Sequence, residues 1–305
     1  MVEYLTMENA IVYSLSANKK LASDIARILS LPLGKVEIEH FKDGEIMCRN
    51  LSNVKGKDAI IVQSTGYPAQ DNIFEILILA DSLKNSEAKS ITLVVPYFGY
   101  SRQDRIARSG EPITAKVVAS LFQTADISRL ITVDLHTQQI QGFFSCPVIN
   151  IDTFELFGDY FVKYFNKHNI KQDEVVVVAP DHGSALRARD LGSMFENASI
   201  AFIDKRRPAP NTSEVINVVG DVKGKTCLIV DDIIDTCGTI NNAYDALMEK
   251  GAREVFVCAS HAVFSNGTLK PEIKHVVVTD SIEKNIKGVQ VVSTANLIAK
   301  AIESR

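Results

Sequence analysis

The chain has 305 residues, 46% of them hydrophobic and 23% charged, which is typical of a soluble globular protein with room for two domains. A net charge of −4 argues against general nucleic-acid binding, and no apolar run approaches the ~18 residues of a membrane span. The first residues show no secretory signal, and the 5 cysteines lack Cys-x-x-Cys spacing, so we expect reduced thiols in a cytoplasmic protein.

The first half of the sequence alternates apolar runs with helical patterns. A hairpin is predicted where Asp43-Gly44 joins two alternating segments, and Arg102–Glu111 is predicted to be a basic loop. In chain order, strands are predicted over Ile11–Leu15, Val36–Phe41, Glu45–Arg49, Ala59–Gln63, Ile91–Val95 and Leu130–Val133, and helices over Lys19–Leu29, Asn72–Leu83 and from Pro112 to Gln123.

The second half repeats this alternation. Strands are predicted over Glu174–Ala179, Ile200–Ile203, Glu214–Val219, Cys227–Val230, Val255–Ala259, His275–Thr279 and Val289–Val292, and helices over Phe154–Asn166, Ala185–Phe195, Ile240–Lys250 and Asn296–Ser304. The alternation predicts an α/β protein with two domains, residues 1–150 and 151–305, each a mostly parallel sheet flanked by helices. The last helix is a candidate to pack on the N-terminal domain.

The most informative stretch is Thr226–Thr239. An apolar run ends at Asp231 and Asp232, and a short loop with Gly238 then leads into a helix. Free N–H groups at a helix start bind phosphate, while adjacent carboxylates suit sugar hydroxyls and Mg²⁺. Taken alone, the two aspartates are better explained as residues that end a strand. The full segment Thr226–Thr239 instead favours a site for a phosphorylated sugar. It resembles the phosphoribosyl-pyrophosphate signature of type I phosphoribosyltransferases.

Other polar loops follow predicted strands, where open α/β sheets bind ligands. We expect Asp181 to contact a metal, whereas His182 is slightly better explained as a solvated loop residue. Lys205 to Arg207 are cations suited to phosphoryl transfer, although basic runs are usually surface charge. Further candidates are Arg102, Gln103 and His136.

Several motifs together resemble ribose-phosphate diphosphokinases (phosphoribosyl-pyrophosphate synthetases) of the phosphate-dependent class. The matching segments are Pro96–Arg105, Glu111–Lys116, Asp134–His136, Gln139–Phe144, Asp204–Pro208 and Val230–Thr239. The resemblance covers nearly the whole chain. It implies transfer of the diphosphoryl group of MgATP to the anomeric hydroxyl of ribose 5-phosphate, which gives 5-phosphoribosyl 1-pyrophosphate and AMP for nucleotide biosynthesis.

The resemblance also implies a role for each matching residue. Lys205 and Arg207 are the catalytic cations, and His136 and Asp181 hold Mg²⁺. Ribose 5-phosphate is held by Asp231, Asp232, Asp235, Thr236, Cys237, Gly238 and Thr239. The nucleotide is held by Arg102, Gln103 and His136, and by the hairpin residues Phe41, Asp43 and Glu45 from a neighbouring subunit. The partners implied are therefore ATP, ribose 5-phosphate and further copies of the chain in a dimer-based hexamer, with no nucleic acid and no membrane.

Three departures lie in or near the ATP-side loops. The chain has Ile106 and Gly110 where the family usually has basic residues, and Ser184 where its diphosphate loop usually has a second glycine. The Cβ of Ser184 would crowd a phosphate, or its hydroxyl would donate a hydrogen bond. Ile106 and Gly110, with Ile149 at a regulatory position, predict weakened control by phosphate and ADP. The three departures also leave open a non-catalytic regulatory paralogue, and a phosphoribosyltransferase is a third possibility.

Overall fold

The computed structural model describes residues 9–206 and 215–304, without the side chains of residues 205, 206, 215 and 216. The strands are β1 Ala10–Ser14, β2 Val36–His40, β3 Ile46–Asn50, β4 Asp58–Val62, β5 Ser90–Val95, β6 Arg129–Val133, β7 Val148–Ile151, β8 Val175–Ala179, β9 Ser199–Arg206, β10 Val215–Val219, β11 Thr226–Ile234, β12 Glu254–Ala262, β13 His275–Thr279 and β14 Val289–Val292. The α-helices are α1 Lys19–Ile28, α2 Ala69–Asn85, α3 Thr114–Thr124, α4 Phe154–Lys167, α5 Ala185–Gly192, α6 Gly238–Glu249 and α7 Ala295–Glu303.

The chain forms two compact units. Unit 1 comprises the residues up to Ile151, the short segment Asp280–Glu283 and the segment from Ser293. Unit 2 comprises Asp152–Thr279 and Lys284–Val292. None of the helices within the described residues is long and apolar enough to span a membrane.

Unit 1 is built on a five-stranded parallel sheet in the order β1-β4-β5-β6-β7. Helices α2 and α3 pack on one face together with the separate β2–β3 hairpin, and α1 and α7 pack on the other. Helix α1 faces the sheet because its apolar residues recur at helical spacing, at Leu21, Ala22, Ile25 and Ala26. Both faces of the sheet are therefore covered, as the alternating pattern predicts.

The C-terminal end of α7 is closed by an arginine from β6. The guanidinium of Arg129 donates to the carbonyl oxygens of Ile302 at 2.9 Å and Ser304 at 2.8 Å. The last carbonyl groups of a helix have no partner within the helix, so a planar cation with several donors stabilises this end.

Unit 2 has a seven-stranded sheet in the order β10-β9-β8-β11-β12-β13-β14, in which the described pairs are parallel except β9–β10. Helices α4 and α5 contribute to the core on one face and α6 to the core on the other. Strand β11 lies at the centre and is buried along almost its whole length. The sheet therefore presents the carboxyl end of β11 between those of β8 and β12.

The structure differs from the sequence predictions at four notable elements. Strand β11 continues through Asp231 and Asp232 to Ile234, because it pairs with β12 as far as Ala262. Strand β9 includes Lys205, which we had placed in a loop. Strand β7 was not predicted, and α3 begins at Thr114 instead of Pro112.

Candidate active site

The centre of the candidate site is the pair of carboxylates on β11. Asp231 and Asp232 are 7% and 5% exposed, so both are largely removed from water. Burial, followed by the neighbouring charges of Asp232 and Asp181, raises the pKa of Asp231 well above its usual range. A bound cation or the hydroxyls of a sugar would relieve this unfavourable concentration of negative charge.

The loop after β8 meets these carboxylates through Ser184. The Ser184 hydroxyl donates to Asp231 Oδ1 at 2.8 Å and lies 3.3 Å from Asp181 Oδ1. The main-chain N–H of Ser184 donates to the same Asp181 oxygen at 3.0 Å. The Ser184 hydroxyl thus donates to a protein carboxylate, and whether its Cβ crowds a bound phosphate stays a prediction.

Helix α5 adds an arginine that sequence reasoning missed. Nη2 of Arg187 lies 3.9 Å from Asp232 Oδ2, and the Arg187 side chain is only 20% exposed. The sequence did contain a signal for this residue. Arg187 lies three residues after Ser184, and residues at this spacing share one helix face. His182 is by contrast 84% exposed, with Nε2 3.4 Å from Asp204 Oδ1, which agrees with its interpretation as a solvated loop residue.

The predicted phosphate loop follows β11 and ends at the start of α6. Cys237 precedes the helix in a left-handed conformation with φ 64°, so the chain turns sharply there. Thr236 and Gly238 are exposed on either side of it. Burial, and then the charge of Asp235, raises the pKa of the Cys237 thiol, so this residue fits as a small neutral side chain and not as a nucleophile.

The segment after β12 forms a second wall beside this loop. The backbone N–H of Ser265 donates to Asp235 Oδ1 at 3.2 Å, and the Ser265 hydroxyl donates to the same oxygen. A Cβ on Gly267 would lie 2.3 Å from the carbonyl carbon and oxygen of Thr236. A Cβ on Gly238 would meet no protein atom closer than Thr236 Oγ1 at 3.9 Å. The segment after β12 therefore packs closely under the loop, while the Gly238 side stays open for a ligand.

In unit 1, the polar loops after β5 and β6 are joined to each other. The Thr137 hydroxyl donates to Asp104 Oδ2 at 2.6 Å, which ties the loop carrying Arg102 and Gln103 to the loop carrying His136. Gln103 is also held by the Thr114 hydroxyl, which donates to Gln103 Oε1 at 2.6 Å. The structure thus brings these predicted nucleotide-binding loops together at the carboxyl ends of β5 and β6.

The β2–β3 hairpin presents its turn to solvent. Phe41 is 43% exposed, and Asp43 and Glu45 are also exposed. The backbone N–H of Glu45 donates to Asp43 Oδ1 at 3.1 Å, and Gly44 occupies the turn with φ 95°, a conformation that favours glycine. Asp43 therefore stabilises the turn of the hairpin, independently of any ligand that it binds.

The predicted catalytic cations lie at the edge of the described chain. Lys205 belongs to β9, where its backbone pairs with Ile216, and its side chain lies outside the described residues. Arg207 lies outside them altogether. Their assignment therefore stays a prediction.

Within residues 9–206 and 215–304, no group of three or more His, Cys, Asp or Glu side chains is arranged to hold a metal by itself. Mg²⁺ is commonly held by one or two carboxylates together with substrate phosphates. Asp181, whose charge acts on the neighbouring Asp231, fits that second arrangement as one such carboxylate. His136 and Asp181, the two predicted metal ligands, belong to unit 1 and unit 2 respectively.

The parallel sheet of unit 2, its two buried carboxylates and the loop leading into α6 define the type I phosphoribosyltransferase class of domain. A family model for the phosphoribosyl transferase domain matches residues 153–296, and one for the N-terminal domain of ribose phosphate pyrophosphokinase matches residues 10–125. The chain belongs to the ribose-phosphate pyrophosphokinase family.

Full-length relatives support this membership. Ribose-phosphate pyrophosphokinases of Corynebacterium ammoniagenes and Bacillus cereus are each 46% identical in an alignment of 308 positions that covers 98% of this chain and 95% of theirs. The crystal structure of phosphoribosylpyrophosphate synthetase from Mycobacterium smegmatis is similar with a TM-score of 0.87 and 36% identity, covering 97% of this chain and 98% of that one.

Proposed function

We propose that the protein is a ribose-phosphate diphosphokinase. The anomeric hydroxyl of ribose 5-phosphate attacks the β-phosphorus of MgATP, the bond between that phosphorus and the α–β bridging oxygen breaks, and AMP leaves. The products are 5-phosphoribosyl 1-pyrophosphate and AMP. The observation that carries the proposal is the pairing of buried Asp231 and Asp232 with an open phosphate loop, in a chain that matches the family over almost its whole length.

Unit 2 would bind the sugar phosphate. The loop from Asp235 to Thr239 supplies main-chain N–H groups at the start of α6, and the positive end of a helix favours a phosphate there. Asp231 and Asp232 accept hydrogen bonds from the ribose hydroxyls. Because these carboxylates are buried, a sugar that fills the site leaves little room for competing water.

Asp181 would hold Mg²⁺ together with the phosphates of ATP, and His136 is proposed as a Mg²⁺ ligand in unit 1. When bound, the ion neutralises phosphate charge and supplies Lewis-acid assistance to diphosphoryl transfer. The residues of the chain then act by orientation: the carboxylates hold the sugar, and Lys205 and Arg207 place positive charge on the transferring group.

Unit 1 would bind the nucleotide. Arg102 and Gln103 lie on a loop that is tied to the His136 loop through Thr137 and Asp104, which suits a triphosphate clamp. The exposed ring of Phe41 is available to stack on adenine, with Asp43 and Glu45 beside it. We place this hairpin in the site of another subunit, which makes the protein a homo-oligomer built from dimers, and a hexamer in its complete form. We also propose a cytoplasmic location.

The test is AMP formation from MgATP in the presence of ribose 5-phosphate, of ribose, or of neither sugar, at saturating Mg²⁺ and varied inorganic phosphate. AMP that appears only with ribose 5-phosphate is the expected result, because the phosphate loop requires the 5-phosphate. A folded chain that binds ribose 5-phosphate yet releases no AMP would overturn the proposal and favour the non-catalytic paralogue. The dependence of the rate of AMP formation on inorganic phosphate shows separately whether control of the enzyme by phosphate is weakened.

A further inference from the structure

Ser184 occupies the N-cap position of α5 without capping the helix. Serine is favoured at this position because its side-chain oxygen accepts a hydrogen bond from an N–H of the first turn. Ser184 makes no such hydrogen bond. Its side chain is instead turned toward the carboxylates of the site, and the residue is only 2% exposed.

The distances show where the hydroxyl proton goes. Asp231 Oδ1 is 2.8 Å from Ser184 Oγ, and Asp181 Oδ1 is 3.3 Å away. A hydroxyl donates one hydrogen bond, so the shorter contact identifies Asp231 as its acceptor. Asp181 is held by the Ser184 main-chain N–H at 3.0 Å. One residue therefore holds both carboxylates, through separate groups.

We propose that Ser184 is a positioning residue, whose hydroxyl orients Asp231 for ribose 5-phosphate while its main chain orients Asp181. The Asp231 oxygen that accepts this bond also accepts the main-chain N–H of Asp232 at 2.9 Å. With the hydroxyl in place, the carboxylate is held from two directions. Without it, Asp231 keeps the restraint from its own strand and loses the one that comes from the loop after β8.

The inference rests on the proposed function for its kinetic consequence. Asp231 is assigned to the sugar and Asp181 to the metal and diphosphate, so loss of the hydroxyl should affect one substrate more than the other. A hydrogen bond to a carboxylate is stronger than one between two neutral groups, so we expect its loss to weaken the affinity for ribose 5-phosphate about tenfold.

The experiment compares wild type with Ser184→Ala and Ser184→Gly, which both lack the hydroxyl but differ in the Cβ. Both variants should raise KM for ribose 5-phosphate about tenfold and leave KM for MgATP within about twofold, because Gly and Ala both keep the main-chain N–H that holds Asp181. The matched control is Ser193→Ala. Ser193 lies at the other end of α5, and its hydroxyl donates to a main-chain carbonyl at 2.6 Å.

Equal changes for the two substrates would overturn the inference, since they would indicate a general structural effect. Wild-type KM values in Ser184→Gly would also overturn it, because the Cβ and not the hydroxyl would then matter. If wild type forms no AMP, the proposed function fails. Calorimetric titration with ribose 5-phosphate then tests Ser184 alone, with a tenfold weaker Kd expected for Ser184→Ala and equal Kd values as the contrary result.

Discussion

The carboxylate of Glu75 in α2 accepts a hydrogen bond from the hydroxyl of Ser16 at 2.6 Å, although 59 residues separate them. Glu75 is 1% exposed and also accepts hydrogen bonds from the Ser16 N–H at 3.1 Å and from Gln63 Nε2 at 2.8 Å. It therefore joins the chain after β1 and the chain after β4 to α2. This carboxylate is buried but well supplied with donors, as a buried polar group requires.

Glu75→Gln should lower the free energy of unfolding by about 2 kcal/mol, because the new amide group places donors opposite the donors of Ser16 and Gln63. Urea denaturation followed by far-UV circular dichroism measures the change, since the chain has 0 tryptophans. Glu87→Gln is the control, because the Glu87 side chain is 66% exposed and forms its ion pair with Lys55, which is also exposed. Identical midpoints for wild type and Glu75→Gln would contradict the assigned role.

Two glycines beside the phosphate loop should separate binding from stability. Gly238→Ala should leave the melting temperature unchanged and raise KM for ribose 5-phosphate about tenfold, because its Cβ occupies space that the protein leaves open. Gly267→Ala should lower the melting temperature, since its Cβ would clash with the Thr236 carbonyl at 2.3 Å. Gly142→Ala is the control for adding a methyl group to a glycine, because a Cβ on Gly142 would meet no other atom within 4 Å. A lowered melting temperature for Gly238→Ala would contradict the conclusion that the protein leaves this space open.

The stability of the protein should depend on His275 in mild acid. Burial, and then the charge of His168, lowers the pKa of His275 below its ordinary 6.5. Below pH 6.5 the unfolded chain therefore binds more protons at this position than the native protein, so stability falls as the pH drops toward the lowered pKa. The neutral ring accepts or donates a hydrogen bond with the Tyr160 hydroxyl at 2.6 Å and stacks on Tyr164 at 4.7 Å.

Thermal melts at pH 7.5 and 5.5 test this dependence. His275→Gln should lose less stability between the two pH values than wild type, because glutamine keeps a polar partner for Tyr160 and does not titrate. The remaining titrating groups are common to both proteins and cancel in the comparison. An equal loss in the two proteins would show that His275 does not contribute.

Lys205→Ala should lower kcat by about 100-fold or more, because a cation placed on the transferring group acts mainly in the transition state. KM for ribose 5-phosphate should change by less than about threefold. Steady-state kinetics with both substrates measures the two constants, and Lys250→Ala, at the exposed end of α6, provides the control for loss of a lysine. An unchanged kcat with a raised KM would reject the catalytic assignment.

Much of the fold follows from local sequence. Strand β8 contains four consecutive valines, and the Asp43-Gly44 turn locates the hairpin to within a residue at each end. Strand β7 was missed because Val-Ile-Asn-Ile is short, and its strand conformation depends on pairing with β6 at the edge of the sheet. Short edge strands are specified by their neighbours more than by their own residues.

The candidate site was predictable in its residues and less so in its arrangement. Asp231 and Asp232 were identified from their position after an apolar run, but where β11 ends depends on how far β12 continues beside it. Ser265 and Gly267 gave no sequence signal as neighbours of Asp235 and Thr236, because only the parallel pairing of β11 with β12 brings the two loops together. The chemical type of each site residue is visible in the local sequence, whereas the distances between these residues depend on how the strands are ordered and paired.

Helix α7 supplies Ile298 and Ile302 to the apolar core that also contains Val12, Ile25 and Ile131 of unit 1. Residues 152–292 are made between the last strand of the unit 1 sheet and this helix. At elongation rates of about 5–20 residues per second that interval lasts roughly 7–28 s on the ribosome. During it, α1 alone covers this face of the sheet in every nascent chain, and a ribosome stalled within residues 152–292 would hold a chain in which the part of this core that contacts α7 is exposed.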